Sequence, residues 1–256
     1  MGRIFHAWVI VPILVIRVSA HADGLDVQKF KFSQYVSYQQ TIINNNSPIF
    51  ELLSIPSFRA INVSQPYQTL AKLYNIAPQA QQELENLTHQ IAHHVNGTVH
   101  SSGLKEKTRA EEKIVGELAG DASKLTDIAR ITVEVDSVEG LIRVYTELTA
   151  AARTQEVINR FQLPKPSGYR DLKVLLMLPE SQFIVEVQLH LKGIFEIKNG
   201  QEHNIYREIQ IIERNAALQD RILSEHEFAR IEHLRQQSRA LYDNAWQHYQ
   251  LMNIEV

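Results

Sequence analysis

Residues Val185-Glu186-Val187-Gln188-Leu189-His190 alternate strictly between apolar and polar side chains. In an extended strand this period sends Glu186, Gln188 and His190 to one face and Val185, Val187 and Leu189 to the other, whereas a helix would scatter both sets around its axis. The segment is therefore read as a strand with one core face and one polar face. Two readings of the polar face stand: the solvated side of an ordinary antiparallel strand, or a wall that carries chemistry. Further strand signals at Ile131 to Val135, Glu156 to Phe161, Leu172 to Leu178 and Phe183 to Leu191, with a helix from Val138 to about Ala151, predict a mixed α/β unit. Its sheet is expected to hold about four or five strands.

The flanks read as helical. Leu70, Leu73, Tyr74, Leu84, Leu87 and Ile91 recur at helical spacing, and Pro78 is expected to divide them into two helices. Residues 23–102 thus read as a mainly helical N-terminal region, although 23–66 shows little beyond the Asn44-to-Pro48 loop signal. From Gly193 onward the pattern is helical again. A long charged helix from about Ala216 to Gln250 is expected, with residues 211–256 forming a helical hairpin or antenna.

Residues 1–22 carry two arginines, no acid, an uncharged run from Ala7 to Ile16 and a small-x-small pattern before Asp23. This predicts a signal peptide and an exported chain, in the periplasm or secreted. Pro12 and Arg17 keep a membrane anchor or a different start as competing readings, and a leader that does not function would leave the chain cytoplasmic. The run is about half the roughly 20 residues that span a bilayer, so no stable membrane span is expected after cleavage. Losing the two arginines would move the net charge from −3 to −5, which argues against a DNA-coating role. With no cysteine, thiolate metal sites, cysteine nucleophiles and disulfides are excluded.

Among local motifs, His89 and His93 lie one helical turn apart but lack the glutamate of a zinc-protease pair, and they read as a solvated face. Lys105, Lys107, Arg109 and Lys113 form a cationic run at a loop-to-helix transition. It suits a phosphate-rich ligand, or is a solvated helix start balanced by Glu106, Glu111 and Glu112. Walker loop, dinucleotide-binding glycines and serine elbow are all absent.

Taken in order, Lys105-x-Lys107-x-Arg109-x-x-x-Lys113, Asp127-Ile-Ala-Arg130-Ile-Thr-Val, Gly168-Tyr169-Arg170-Asp171-Leu172-Lys173, Glu186-Val-Gln188-Leu-His190 and Glu202-His203-Asn-Ile-Tyr206 resemble the RelA/SpoT alarmone-synthetase family over roughly residues 103–210. The wording is closer to its divergent stand-alone and toxin-like members. The resemblance implies a nucleotidyltransferase-like α/β fold, a mixed sheet with flanking helices and helical N- and C-terminal extensions. It implies pyrophosphate transfer from ATP to the 3′-hydroxyl of a nucleotide, most readily GDP or GTP. An adenosine nucleotide or the tRNA 3′ end are alternatives.

By the same resemblance, Asp127 and Glu186 would be catalytic and hold Mg²⁺, with Glu186 activating the hydroxyl. Lys105, Lys107, Arg109, Lys113 and Arg130 would bind the ATP phosphates or base, and Tyr169 would stack the acceptor base. Arg170, Lys173, Gln188, His190, His203 and Tyr206 would complete the acceptor site. Lys173 stands where many members have histidine and Thr132 where they have arginine, so the acceptor is open. The His-Asp doublet of the hydrolase half is absent. Two uses of the fold follow: an exported effector or toxin that makes an alarmone-like nucleotide, or a catalytically silent nucleotide- or partner-binding protein. In the second, the C-terminal helix would be a partner face, with helix-mediated homo-oligomerisation one outcome.

Overall fold

The computed structural model describes residues 47–253. The expected leader and the stretch up to residue 46 lie outside the described residues. Seven helices and six strands follow in chain order: α1 (Pro48–Ser54), β1 (Phe58–Arg59), α2 (Leu70–His93), β2 (Thr98–His100), α3 (Lys107–Glu117), β3 (Arg130–Val135), α4 (Val138–Ala151), β4 (Arg153–Asn159), β5 (Leu172–Met177), β6 (Ile184–Leu191), α5 (Lys192–Asn199), α6 (Gln201–Leu218) and α7 (Glu225–Met252).

The strands form one sheet in the order β1-β4-β5-β6-β3-β2, mixed because β3 and β6 run parallel while every other pair is antiparallel. The sheet holds six strands rather than four or five. The two additions, β1 and β2, are edge strands of two and three residues, too short to leave a periodic signal, and both come from the stretch read as mainly helical.

β3 alternates strictly in burial, with Ile131, Val133 and Val135 buried. These residues share one core with Val187 and Leu189 of β6, with Leu73, Ala77 and Leu84 of α2, and with Leu141, Val144 and Leu148 of α4. α2 and α4 lie across β3 and β6. The opposite face carries the polar set, and pairing puts it in register: Arg130 beside Glu186, Thr132 beside Gln188, Glu134 beside His190, with His100 of β2 beside Thr132 and Lys173 of β5 beside Gln188.

Pro78 does not split α2, which runs unbroken for 24 residues. An interior proline forfeits one backbone hydrogen bond, about 3 kcal/mol. The tertiary structure offsets this by burying Leu73, Ala77, Ala80, Gln81, Leu84 and Ile91 along one stripe. Gln81 also brackets the first peptide of β3, accepting from Arg130 N at 3.0 Å and donating to its carbonyl at 3.3 Å.

The long C-terminal helix, expected from about Ala216, begins instead at Glu225, and Ala216 to Leu218 close the helix before it, so that the two form a hairpin. α6 stops at Leu218, followed by Asp220 at φ 49°, and α7 starts from Ser224, whose side chain and Glu227 form a reciprocal capping box. The hairpin is not a free antenna. Ile209, Ile231 and Leu234 hold its two helices together, while Tyr242, Trp246 and Tyr249 of α7 enter the main core. Among the described residues no helix is long and apolar enough to cross a membrane.

Candidate active site

A cleft of about 230 Å³ opens on the polar face of the β3–β6 pair, lined by His100, Ser102, Arg130, Thr132, Glu186, Gln188 and Lys198. Glu186 projects into it because its strand neighbours Val185 and Val187 are fully buried on the other side. Gln188 Nε2 donates to Glu186 Oε1 at 2.8 Å, and Lys198 Nζ donates to Gln188 Oε1 at 3.1 Å. Lys173 pairs with Glu156 at 2.6 Å and stands 3.9 Å from Glu186; Glu156 also pairs with Arg59. His100 closes the β2 side, held by Glu134 at 2.8 Å and stacked on Phe195 of α5 with ring centroids 4.3 Å apart.

Tyr169 stands beside this cleft at the end of a tight turn, in which Gly168 N donates to the Lys165 carbonyl. Gly168 has φ 83°, and a Cβ there would lie 2.9 Å from the Arg239 Cα of α7, so glycine is required on both counts. The Tyr169 hydroxyl donates to Asp171 Oδ2 at 2.9 Å, and its single proton being used, it accepts from His190 Nε2 at 2.7 Å. This fixes the His190 tautomer and leaves Nδ1 without a proton; that atom has no hydrogen-bond partner among the described residues. Arg160 pairs with the other oxygen of the fully buried Asp171 at 2.5 Å. Burial first, and then the Asp171 carboxylate, push the Tyr169 phenol upward, while burial and the nearby Lys198 and Arg160 hold His190 well below its ordinary value, neutral. The ammonium groups of Lys165 and Lys198 lie 5.3 and 5.7 Å from the Tyr169 ring centroid.

Asp127 forms a second centre just before β3. Lys105 Nζ and Lys113 Nζ each donate to its Oδ2 at 2.9 Å. Burial alone would raise this carboxyl, but the ammonium groups of Lys113 and Lys105 outweigh it and hold Asp127 below the usual carboxylate range. Its Oδ1 is buried with no hydrogen-bond partner among the described residues. Among the described residues no three histidine or carboxylate side chains cluster as a metal cage.

The structure thus gathers Arg130, Glu186 and Gln188 on one cleft face, sets Lys173 next to Glu186, adds Tyr169 and His190 beside the cleft, and joins Lys105 and Lys113 to Asp127. It does not bring the remaining predicted residues in. Lys107 is exposed, and Arg109 is exposed and pairs weakly with Glu106 at 3.5 Å. Arg170 is buried against α7, donating to the Gly168 carbonyl at 2.7 Å and to Asp243 at 2.9 Å. His203 and Tyr206 lie on exposed positions of α6, Tyr206 accepting from Gln210. The sequence reading missed Lys198, Lys165, His100 and the Arg160–Asp171 pair. Only Lys198 left a signal, since it falls four residues after the buried Ile194 on the same helical face.

No protein-family model matches the chain, and no curated protein matches it. Among solved structures it is similar to small alarmone synthetase 2 from Bacillus subtilis, at 17% identity and a TM-score of 0.53 over 71% of this chain and 94% of that one. It is similar to small alarmone synthetase 1 from Bacillus subtilis bound to its product pppGpp, at 16% identity and a TM-score of 0.52 over 71% of this chain and 95% of that one. It is also similar to the complex between the Type VI effector Tas1 and its immunity protein, at 22% identity and a TM-score of 0.51 over 69% and 96% of the two chains. The mixed α/β fold expected from the sequence is therefore the fold of the small alarmone synthetases.

Proposed function

We propose that this protein transfers pyrophosphate from ATP to the 3′-hydroxyl of a nucleotide acceptor, with GDP or GTP favoured. The observation that carries the reading is the cleft itself: a carboxylate, Glu186, faces it from β6 with Gln188, Arg130 and Lys198 around it and the Tyr169 ring alongside. Phosphoryl-type transfer needs little covalent help from a protein, chiefly alignment of the nucleophile and neutralisation of phosphate charge. In the proposed step the acceptor hydroxyl gives its proton to Glu186 and its oxygen bonds to the β-phosphorus of ATP. The bond from that phosphorus to the bridging oxygen breaks, and AMP leaves.

Arg130, Lys105 and Lys113 supply the positive charge for the donor phosphates, and the Tyr169 ring supplies a stacking surface for the acceptor base. Mg²⁺ fits the oxygen donors present, because the buried Asp127 Oδ1 has no other partner and Mg²⁺ is commonly held by one or two carboxylates plus substrate phosphates. Held by Asp127 and Glu186, it would neutralise charge on the phosphate chain. The leader-like N-terminus supports action outside the producing cell, as an effector or toxin; N-terminal sequencing of the exported chain tests that part.

The test of the reaction is thin-layer chromatography of labelled ATP incubated with the protein, Mg²⁺ and, separately, GDP, GTP, ADP, AMP and tRNA. A new labelled product, reduced by about 100-fold or more in Glu186→Ala, is expected for loss of a general base. Absence of product with every acceptor would overturn the reading in favour of a silent binding protein.

A further inference from the structure

The cleft holds two cations that no carboxylate among the described residues engages. Nearby acids already have partners: Asp127 takes Lys105 and Lys113, Asp171 takes Arg160 and Tyr169, Glu156 takes Arg59 and Lys173, and Glu186 takes Gln188. Arg130 has no ion-pair partner among the described residues, and its main chain, not its side chain, is what Gln81 binds. Lys198 Nζ has one hydrogen bond, to the neutral amide oxygen of Gln188.

Helix geometry keeps Lys198 there. α5 leaves β6 directly, buries Ile194 against the core and presents Lys198 one turn later on the same face. Burial, opposed by Asp171 and Glu186 but aided by the like charges of Lys165 and Arg130, lowers the Lys198 ammonium, so an unliganded cleft is an unfavourable place for it. The ring face of Tyr169 offers only partial compensation. By contrast Lys192, at the start of α5, points outward and pairs loosely with Asp136 at 3.6 Å.

We propose that Lys198, together with Arg130, forms an anion subsite for the phosphate chain of a bound nucleotide. Converging donors without a matching acid suit a multiply charged phosphate group, which takes several charge-assisted hydrogen bonds at once, and a cleft of about 230 Å³ suits a phosphate chain. The inference deepens the proposed pyrophosphate transfer and rests on reading the cleft as its nucleotide site.

Isothermal titration calorimetry with inorganic pyrophosphate tests it on the parent protein, Lys198→Met, Lys198→Arg and the outward-facing control Lys192→Met, each checked for folding by circular dichroism. Lys198→Met is expected to bind pyrophosphate about tenfold or more weakly, with Lys198→Arg and Lys192→Met close to the parent. Parent protein that binds no pyrophosphate, or Lys198→Met that binds it as tightly as the parent, overturns the subsite. Parallel titrations with a non-hydrolysable ATP analogue and with GDP identify the source: the nucleotide whose affinity falls in Lys198→Met owns the phosphate chain, and a fall in neither also overturns it. Because these titrations need no turnover, a parent protein that binds pyrophosphate through Lys198 yet transfers none would sink the reaction alone.

Discussion

Tyr169→Phe removes one oxygen and should destabilise the protein by about 3 kcal/mol. Among the described residues, that hydroxyl is the sole link between His190 and Asp171. Without it, Asp171 Oδ2 loses its partner and keeps only the Arg160 pair on the other oxygen, a charged hydrogen bond worth about 1.5–3 kcal/mol. The His190 ring, fully buried and with Nδ1 already unpaired, is left with no hydrogen-bond partner among the described residues, at about 1–3 kcal/mol for an orphaned buried group. The two losses share one site and partly relax together, hence a total nearer 3 than 6. For a domain of this size, that is roughly 6–12 °C in Tm. Urea and thermal unfolding followed by circular dichroism measure it. A loss below about 1 kcal/mol, the range of an unimportant surface hydroxyl, refutes the relay. So does strict additivity in a Tyr169→Phe, His190→Leu double-mutant cycle, since coupled groups must lose less together than the sum. The ring survives in Tyr169→Phe, so acceptor KM should change less than in Tyr169→Ala.

The same relay makes stability pH-dependent. His190 is held well below its ordinary value of 6.5, so below that pH the unfolded chain binds a proton the native protein refuses. Its contribution is complete above about pH 6.5 and is lost as pH falls, with a slope approaching 1.4 kcal/mol per pH unit; His190→Gln should flatten the urea-derived stability profile between pH 7 and 5.5, and an unchanged slope would count against the buried neutral ring. Gly168→Ala should cost about 2–4 kcal/mol, combining left-handed backbone at φ 83° with a 2.9 Å approach to the Arg239 Cα. Unfolding within about 0.5 kcal/mol of the parent would mean that the turn and α7 separate freely.

The candidate site was legible where its signal was local. Alternation puts Glu186 and Gln188 on one strand face, the resemblance in motif order marks that face as a site, and the turn before Tyr169 is announced by Pro166-Ser167-Gly168. Asp127, Lys105 and Lys113 entered through a resemblance in order and spacing, and the structure joins all three at one carboxylate. Arg170 and His203 fall in equally suggestive motifs, yet one is turned into α7 and the other out to solvent. A motif records neighbours along the chain, and the direction of each side chain depends on elements that arrive from elsewhere. The same limit misled the reading of Pro78, where a local breaker is overridden by the stripe of α2 buried against the sheet.

By itself, the chain's periodicity determined β3, β6 and α4, because burial on one face writes a repeat of two or 3.6 residues into adjacent positions, while the apolar run of β5 announced a strand buried on both faces. It also determined that Glu186, Gln188 and His190 share a face. Only the tertiary structure decided which cations join them. Parallel pairing of β3 with β6 sets Arg130 beside Glu186 across 56 positions of sequence, and the packing of α5 carries Lys198 over the same cleft. It also decided which motif residues turn away from the cleft, as when α7 claims Arg170 through Asp243. Such choices come from contacts between segments far apart in the chain, whose energies no single segment encodes.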